Sequence, residues 1–312
     1  MLVLTLAEAT RETAFTPCAF VAIMVRAAHH EKTPAIAMKI WYQSMTRASA
    51  WPAYNAALRQ VIDAVRDENT HVEIHGISER GGVGDQYRYL ELIETQEVLA
   101  NVERATREGF DAFLIGNICD PGLREAREIT DMPVIGLGET SGYIATQMAG
   151  NFALVTGSPK HMPRILENFR RYGHRDTLHS TRSMQMLRLV DLDTGFSDAA
   201  TGQALIARFL AEVQNAAAEG AEAVIPAVGV LMVLLARSRI HISPEGLPIV
   251  NGVGALVKMG ETAVRLRQSM GGVWTSRRCT YQQPPESQLA EIRRHYGPVY
   301  STLPDPQQKE SP

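Results

Sequence analysis

Asn117, Cys119 and Asp120 stand within four residues of one another, after an apolar run over 112–115 and just ahead of Pro121-Gly122. A cysteine at such a strand tip can supply a thiol for proton transfer or attack, because its pKa lies near neutrality and answers to nearby dipoles. A helix starting near Pro121 would favour the thiolate, and Asp120 would oppose it. Read structurally, Cys119 is a small buried filler. Asn117 offers both a donor and an acceptor to a carbonyl oxygen or oxyanion, or serves the turn alone. Glu139, in "GETS" after a further apolar run, is a catalytic acid or a first-turn charge. His75 ends an alternating segment and is an acid–base candidate or a structural histidine. "YQSMT" (42–46) and "TGS" (156–158) each precede helical sequence, and their hydroxyl and N–H groups suit a carboxylate or imide oxygen.

These residues need a scaffold, and the hydrophobic patterning supplies one. Strands are predicted over 38–42, 71–77, 111–116, 133–138, 151–157, 183–192, 222–228 and 247–252. Helices are predicted over 51–68, 85–109, 121–130, 159–173, 201–220 and 255–270. Alternation of this kind implies a parallel sheet with helices on both faces. The stretch 107–117 echoes 218–228: a helix end, Glu-Gly, an acid-Ala pair, then a buried strand. The echo suggests two similar α/β halves that each bring one strand tip to a shared cleft. The boundaries expected are an N-terminal extension over 1–37, a first domain over 38–139 plus 250–284, and a second over 140–249. A flexible tail over 285–312 completes them. "GGVGDQYRY" (81–89) reads as a mobile loop over the cleft, with Tyr87 or Tyr89 able to reach a substrate. Arg277 and Arg278 read as a solvated charged end.

Composition narrows the function. The chain of 312 residues is 45% hydrophobic and 21% charged with a formal net charge of −3, so no basic field draws it to nucleic acid. The apolar run near the start is too short to span a bilayer and lacks the flanks of a signal peptide. Three cysteines without CxxC or Cys/His spacing argue against a zinc site and for a reducing, cytoplasmic setting. A homo-oligomer is compatible with all of this.

The stretch 109–141, "GFDAFLIGNICDPGLREAREITDMPVIGLGETS", resembles the central signature of the Asp/Glu/hydantoin racemase superfamily, in particular its hydantoin-racemase branch. "FALVTGSPKHMPRILENFRRYG" (152–173) and "VNGVGALVKMGETAVRL" (250–266) are similar to that family's second-half opening and closing helix. The resemblance implies α/β architecture with two flavodoxin-like parallel-sheet domains, an active site in the cleft between them, and no metal or organic cofactor. It implies two cysteines that move protons on opposite faces of a carbon next to a carbonyl. Aligned on Asp-Pro-Gly-Leu, the first of these falls on Asn117 and the second near Ala227, beside Val228. By position it also carries substrate-oxygen binding to Gln43, Ser44, Thr156 and Gly157. The expectation is a cofactor-independent isomerase acting on a small carboxylate or cyclic amide. The alternatives are a single-cysteine hydrolase or lyase, such as a decarboxylase, and a binding protein without catalytic thiols.

Overall fold

The computed structural model describes residues 37–84 and 86–303. The extension expected over 1–37, with Cys18, lies outside the described residues except for Ala37. In chain order the elements are β1 (Met38–Gln43), α1 (Pro52–Val65), β2 (Thr70–His75), α2 (Arg88–Arg107), β3 (Ala112–Ile115), α3 (Leu123–Ile129), β4 (Val134–Gly136) and α4 (Leu137–Met148). They continue with β5 (Phe152–Thr156), α5 (Met162–Arg171), β6 (Leu178–Ser183), α6 (Thr194–Ser197) and α7 (Ala199–Ala218). The last are β7 (Ala223–Pro226), α8 (Gly229–Arg237), α9 (Gly252–Ser269) and α10 (Glu286–Tyr296).

Every strand pairing between named strands is parallel: one sheet runs β2-β1-β3-β4 and the other β6-β5-β7. Parallel strands covered on both faces must be apolar throughout, and β3, β5 and β7 are buried at every residue. The predicted strand over 247–252 forms only single bridges, with Val250 N–H donating to Val224 O at 2.9 Å and Val224 N–H to Pro248 O at 3.0 Å. It thus lies beside β7 as β4 lies beside β3. The echoed stretches become β3 and β7, each third in its sheet. After the second sheet the chain returns, and α9 packs on β3, β1 and α1 of the first.

Four expectations need correction. The strand predicted over 183–192 is instead the end of β6, a loop, and a 3-10 turn from Leu189 to Asp193. Its alternating apolar residues pack as single anchors, Met184, Leu189 and Leu192 being buried. Besides the single turn of α6 and the later α10, two helices were missed: α4, because Gly136 and Gly138 read as a strand ending in a turn, and α8, whose apolar sequence lacks a polar stripe because it is buried almost all round. The glycine-rich loop is held at its start, where Glu94 accepts from Gly82 N–H at 2.7 Å, and the chain leading into it is held by Glu97, which accepts from Ser78 N–H at 2.7 Å and Glu79 N–H at 3.0 Å. Trp51 Nε1 also donates to Gly82 O at 3.0 Å.

The tail is the fourth. Residues 286–296 form α10, Leu289 is buried, and Arg293 donates to the carbonyls of Val299 and Tyr300 at 3.2 and 2.7 Å. Tyr300 then donates to Glu128 at 2.6 Å and Thr302 to Ile129 O at 2.6 Å. Composition misjudged this segment because its polar side chains are spent on the open end of α3. Arg277 does the same from the other side. Its Nη1 donates to Arg127 O at 2.9 Å and Glu128 O at 3.2 Å, its Nη2 to Thr130 O at 2.5 Å, and its Nε to Asp131 at 2.7 Å. A helix leaves its last carbonyls without partners, and here one guanidinium supplies several. Arg277→Ala is expected to lower unfolding free energy by about 2 kcal/mol, with Arg277→Lys recovering little, since bonds from charged donors contribute roughly 1.5–3 kcal/mol. Urea denaturation of the three proteins measures it, and equal midpoints would remove the capping role.

Candidate active site

The tip of β3 runs through Gly116 into the Asn117–Pro121 turn. Glycine is required at 116 because a Cβ there would lie 2.5 Å from the Tyr42 ring and hydroxyl. The tip of β7 faces it: a Cβ on Gly229 would stand 3.3 Å from Gly116 O. Between the two tips lies a cavity of about 60 Å³. Its wall includes Ser44, Thr46 and Tyr54 from the first sheet's side, Asn117 and Ile118 from the β3 tip, and His161, Val228, Gly229 and Val230 from the second half.

The polar atoms on this wall are not equally available. Thr46 donates its hydroxyl hydrogen to Asn55 Oδ1 at 3.1 Å, and Ser44 Oγ lies 2.8 Å from Thr46 Oγ1. Ser44 also bonds the Tyr54 hydroxyl, whose pKa burial raises above its usual value. Asn117, which lines the cavity, accepts at Oδ1 from Cys119 N–H at 2.8 Å, an Asx-type turn that fixes the amide and leaves Nδ2 free of that bond. Val228 precedes α8, so the first N–H groups of that helix, at Gly229 and Val230, open on the same space. These polar groups share the wall with the Glu94 carboxylate and the apolar side chains of Met45, Trp51, Ile118 and Leu189. The α8 end of the cavity, where the helix's first residues line it, is the part suited to an oxygen bearing negative charge.

Cys119 sits behind this wall. It is 1% exposed, and its Sγ lies 3.0 Å from His161 Nε2. Burial, with Glu91 and Asp120, pushes the thiol well above its ordinary pKa. Burial thus opposes the thiolate that the sequence position suggested. The helix that was to favour it, α3, begins only at Leu123, while the Asp120 carboxyl, close enough to oppose the thiolate, is engaged by other donors. Asp120 accepts from the N–H groups of Gly138 at 2.9 Å and Glu139 at 2.8 Å, and from the Tyr172 hydroxyl at 2.8 Å. It caps α4, with a positive φ of 46° that aspartate tolerates better than most residues.

Of the residues singled out in the sequence, Ser44, Asn117 and Val228 share the cavity wall. The others do not line it. Glu139 is held by Arg127 through contacts of 3.1 and 2.5 Å. His75 stacks on Trp41 with ring centroids 3.4 Å apart, its Nε2 3.4 Å from Glu73, and burial keeps the imidazole below its ordinary pKa. Gln43 is fully buried on the Trp41 face, accepting from Trp41 Nε1 at 3.1 Å and Asn101 Nδ2 at 3.0 Å. Strand alternation turns it away from the cavity. Thr156 is also fully buried, with its hydroxyl 3.5 Å from Ala227 O, and Gly157 faces Leu189 and Val228. Ala227 is buried with its N–H on Val155 O at 2.7 Å. Sequence reasoning missed Tyr54 and His161, whereas Thr46, the last residue of the "YQSMT" stretch, does line the cavity. The signal for His161 was a histidine three residues after Ser158, at the start of a helix.

Two parallel sheets with a cavity between facing strand tips define a two-domain α/β protein of flavodoxin-like type. The family model described as Asp/Glu/Hydantoin racemase matches residues 51–260, and this chain belongs to that family. It is 30% identical to a hydantoin racemase of Pseudomonas sp. (strain NS671) over 211 residues, 67% of this chain and 78% of that protein. A hydantoin racemase of Rhizobium meliloti is 29% identical over 62% of this chain and 75% of that one. The solved allantoin racemase from Klebsiella pneumoniae has the same fold, with a TM-score of 0.66 at 23% identity, covering 79% of this chain and 94% of that one. Among the described residues no group of three or more His, Cys, Asp or Glu gathers as for a metal, and no helix is long and apolar enough to cross a membrane.

Proposed function

We propose that this chain is a cofactor-independent enzyme that stabilises negative charge beside a carbonyl of a small cyclic amide or carboxylate, of hydantoin-like type, and exchanges the hydrogen on the adjacent carbon. The supporting observation is the opening of α8's first turn onto the cavity beside Asn117. An enolate oxygen set there would meet fixed N–H donors, which stabilise developing charge without reorganisation. The family membership and the similarity to hydantoin racemases support this substrate class.

One observation favours a second reaction on the same site. The two positions that carry proton-transfer thiols by resemblance are Asn117 and Ala227, and Cys119 does not reach the wall. A cavity without a thiol on its wall also suits loss of carbon dioxide from an α-carboxylated substrate, where the enolate forms with no base needed. A panel of 5-substituted hydantoins, allantoin and α-substituted malonates, incubated in D2O, separates these. Deuterium at the α-carbon with loss of optical rotation supports isomerisation, and released carbon dioxide supports the lyase. Binding without either change would refute both. Asn117→Ala should lower kcat/KM about 100-fold on the active substrate with little change in folding, the cost of removing one oxyanion donor. Unchanged kinetics would move the oxygen to another part of the wall.

A further inference from the structure

We propose that His161 serves this site as a neutral hydrogen-bond donor, presenting Nδ1–H to the substrate oxygen next to the reacting carbon, with the Cys119 thiol fixing that tautomer from behind. The inference rests on the functional reading above for its substrate. His161 lines the cavity yet is only 7% exposed. Its Nε2 is engaged by Cys119 Sγ at 3.0 Å, and its Nδ1 is buried with no partner among the described residues.

The direction of the first contact follows from chemistry. A thiol sealed from water, with Glu91 and Asp120 near it, keeps its proton. A protonated thiol facing an imidazole nitrogen donates, because the nitrogen is much the better acceptor. Nε2 therefore holds its lone pair toward sulfur, and a neutral ring then carries its hydrogen on Nδ1. Burial and the nearby Arg164 guanidinium keep the ring neutral. A buried N–H without an acceptor is costly, so the position is poised to accept a ligand oxygen. No bond is broken at this residue. The Nδ1–H bond persists while charge grows on the oxygen, and the hydrogen bond strengthens with it. A neutral imidazole is suited to this because it polarises the carbonyl without first having to lose a proton.

The test begins with the free protein. Imidazole 15N–1H correlation spectra should show His161 as the neutral Nδ1–H tautomer from pH 8 down to 5, and Cys119→Ala should turn it into a mixture of tautomers. An Nε2–H tautomer in the wild type would overturn the inference. The second stage adds 5-benzylhydantoin and phenylmalonate as probes. The Nδ1–H proton should move downfield with the probe that binds. His161→Ala should lower kcat 30-fold or more with a smaller change in KM, and His161→Asn, whose amide stands close to Nδ1, should restore part of it. A probe that binds or reacts while the Nδ1–H signal stays put and His161→Ala remains active refutes the donor role. If neither probe binds, the functional reading falls and takes the substrate contact with it, whereas the tautomer measured on the free protein still reports on the thiol–imidazole pair.

Discussion

Asp120→Ala is expected to cost about 4 kcal/mol of unfolding free energy at pH 7, read from urea denaturation. One carboxyl group serves three donors: Gly138 N–H, Glu139 N–H and the Tyr172 hydroxyl. Alanine would strand all three, at roughly 1–3 kcal/mol for each buried polar group left unpaired. Part of that is returned, because the buried carboxyl is itself strained by desolvation. Asp120→Asn keeps acceptor capacity and should cost less than half as much. Glycine at 138 cannot be replaced to relieve the site, since a Cβ there would lie 2.3 Å from Ile118 O. A loss below 1 kcal/mol in Asp120→Ala would show that α4 does not depend on this cap.

Two buried groups should give stability slopes of opposite sign between pH 4 and 6.5. Burial raises the Asp120 carboxyl from 3.8 to about 7, against the hydrogen bonds from Gly138, Tyr172 and Glu139, with Glu139's charge adding to the rise. As pH climbs from 4 to 7 the unfolded chain releases this proton while the folded one keeps it, so stability falls. Burial, helped by Arg164, lowers His161 from 6.5 to about 4. As pH drops from 6.5 to 4 the unfolded histidine gains a proton that the folded one refuses, so stability falls in the other direction. At roughly 1.4 kcal/mol per pH unit of displacement, the full swings are about 4 and about 3 kcal/mol and nearly cancel. Asp120→Asn should therefore be less stable at pH 4.5 than at pH 6.5, and His161→Asn more stable, each relative to the wild type's own change. Parallel pH–stability curves for all three proteins would refute both assignments.

The α/β class and the two halves were legible because buried parallel strands such as Ala112–Ile115 leave continuous apolar runs between helical periods. The site was only partly legible. Asn117 was found because a polar residue directly after a buried strand is conspicuous. Gln43, Thr156 and Glu139 were misplaced for a shared reason: a strand or helix end puts neighbouring side chains on opposite faces, and spacing alone does not say which face meets the cleft. Glu94 and Glu97 lie on the buried stripe of α2 with Val98 and Val102, where acids read as exposed charges until the loop they pin is seen. His161 depends on a contact with Cys119 across 42 residues, which no local pattern encodes.

The return of α9 to the first sheet bears on how the chain is made. Leu114 of β3 packs against Gly260, yet α9 follows the whole second half. On the ribosome, β1 to β4 emerge long before the helix that covers one of their faces. Residues 137–251 must be synthesised in between, which takes on the order of 10 s at roughly 5–20 residues per second. During that interval the first sheet keeps an uncovered apolar surface. Vectorial synthesis thus leaves the faces of β1 and β3 that α9 covers as the apolar surface of the first sheet that stays open longest.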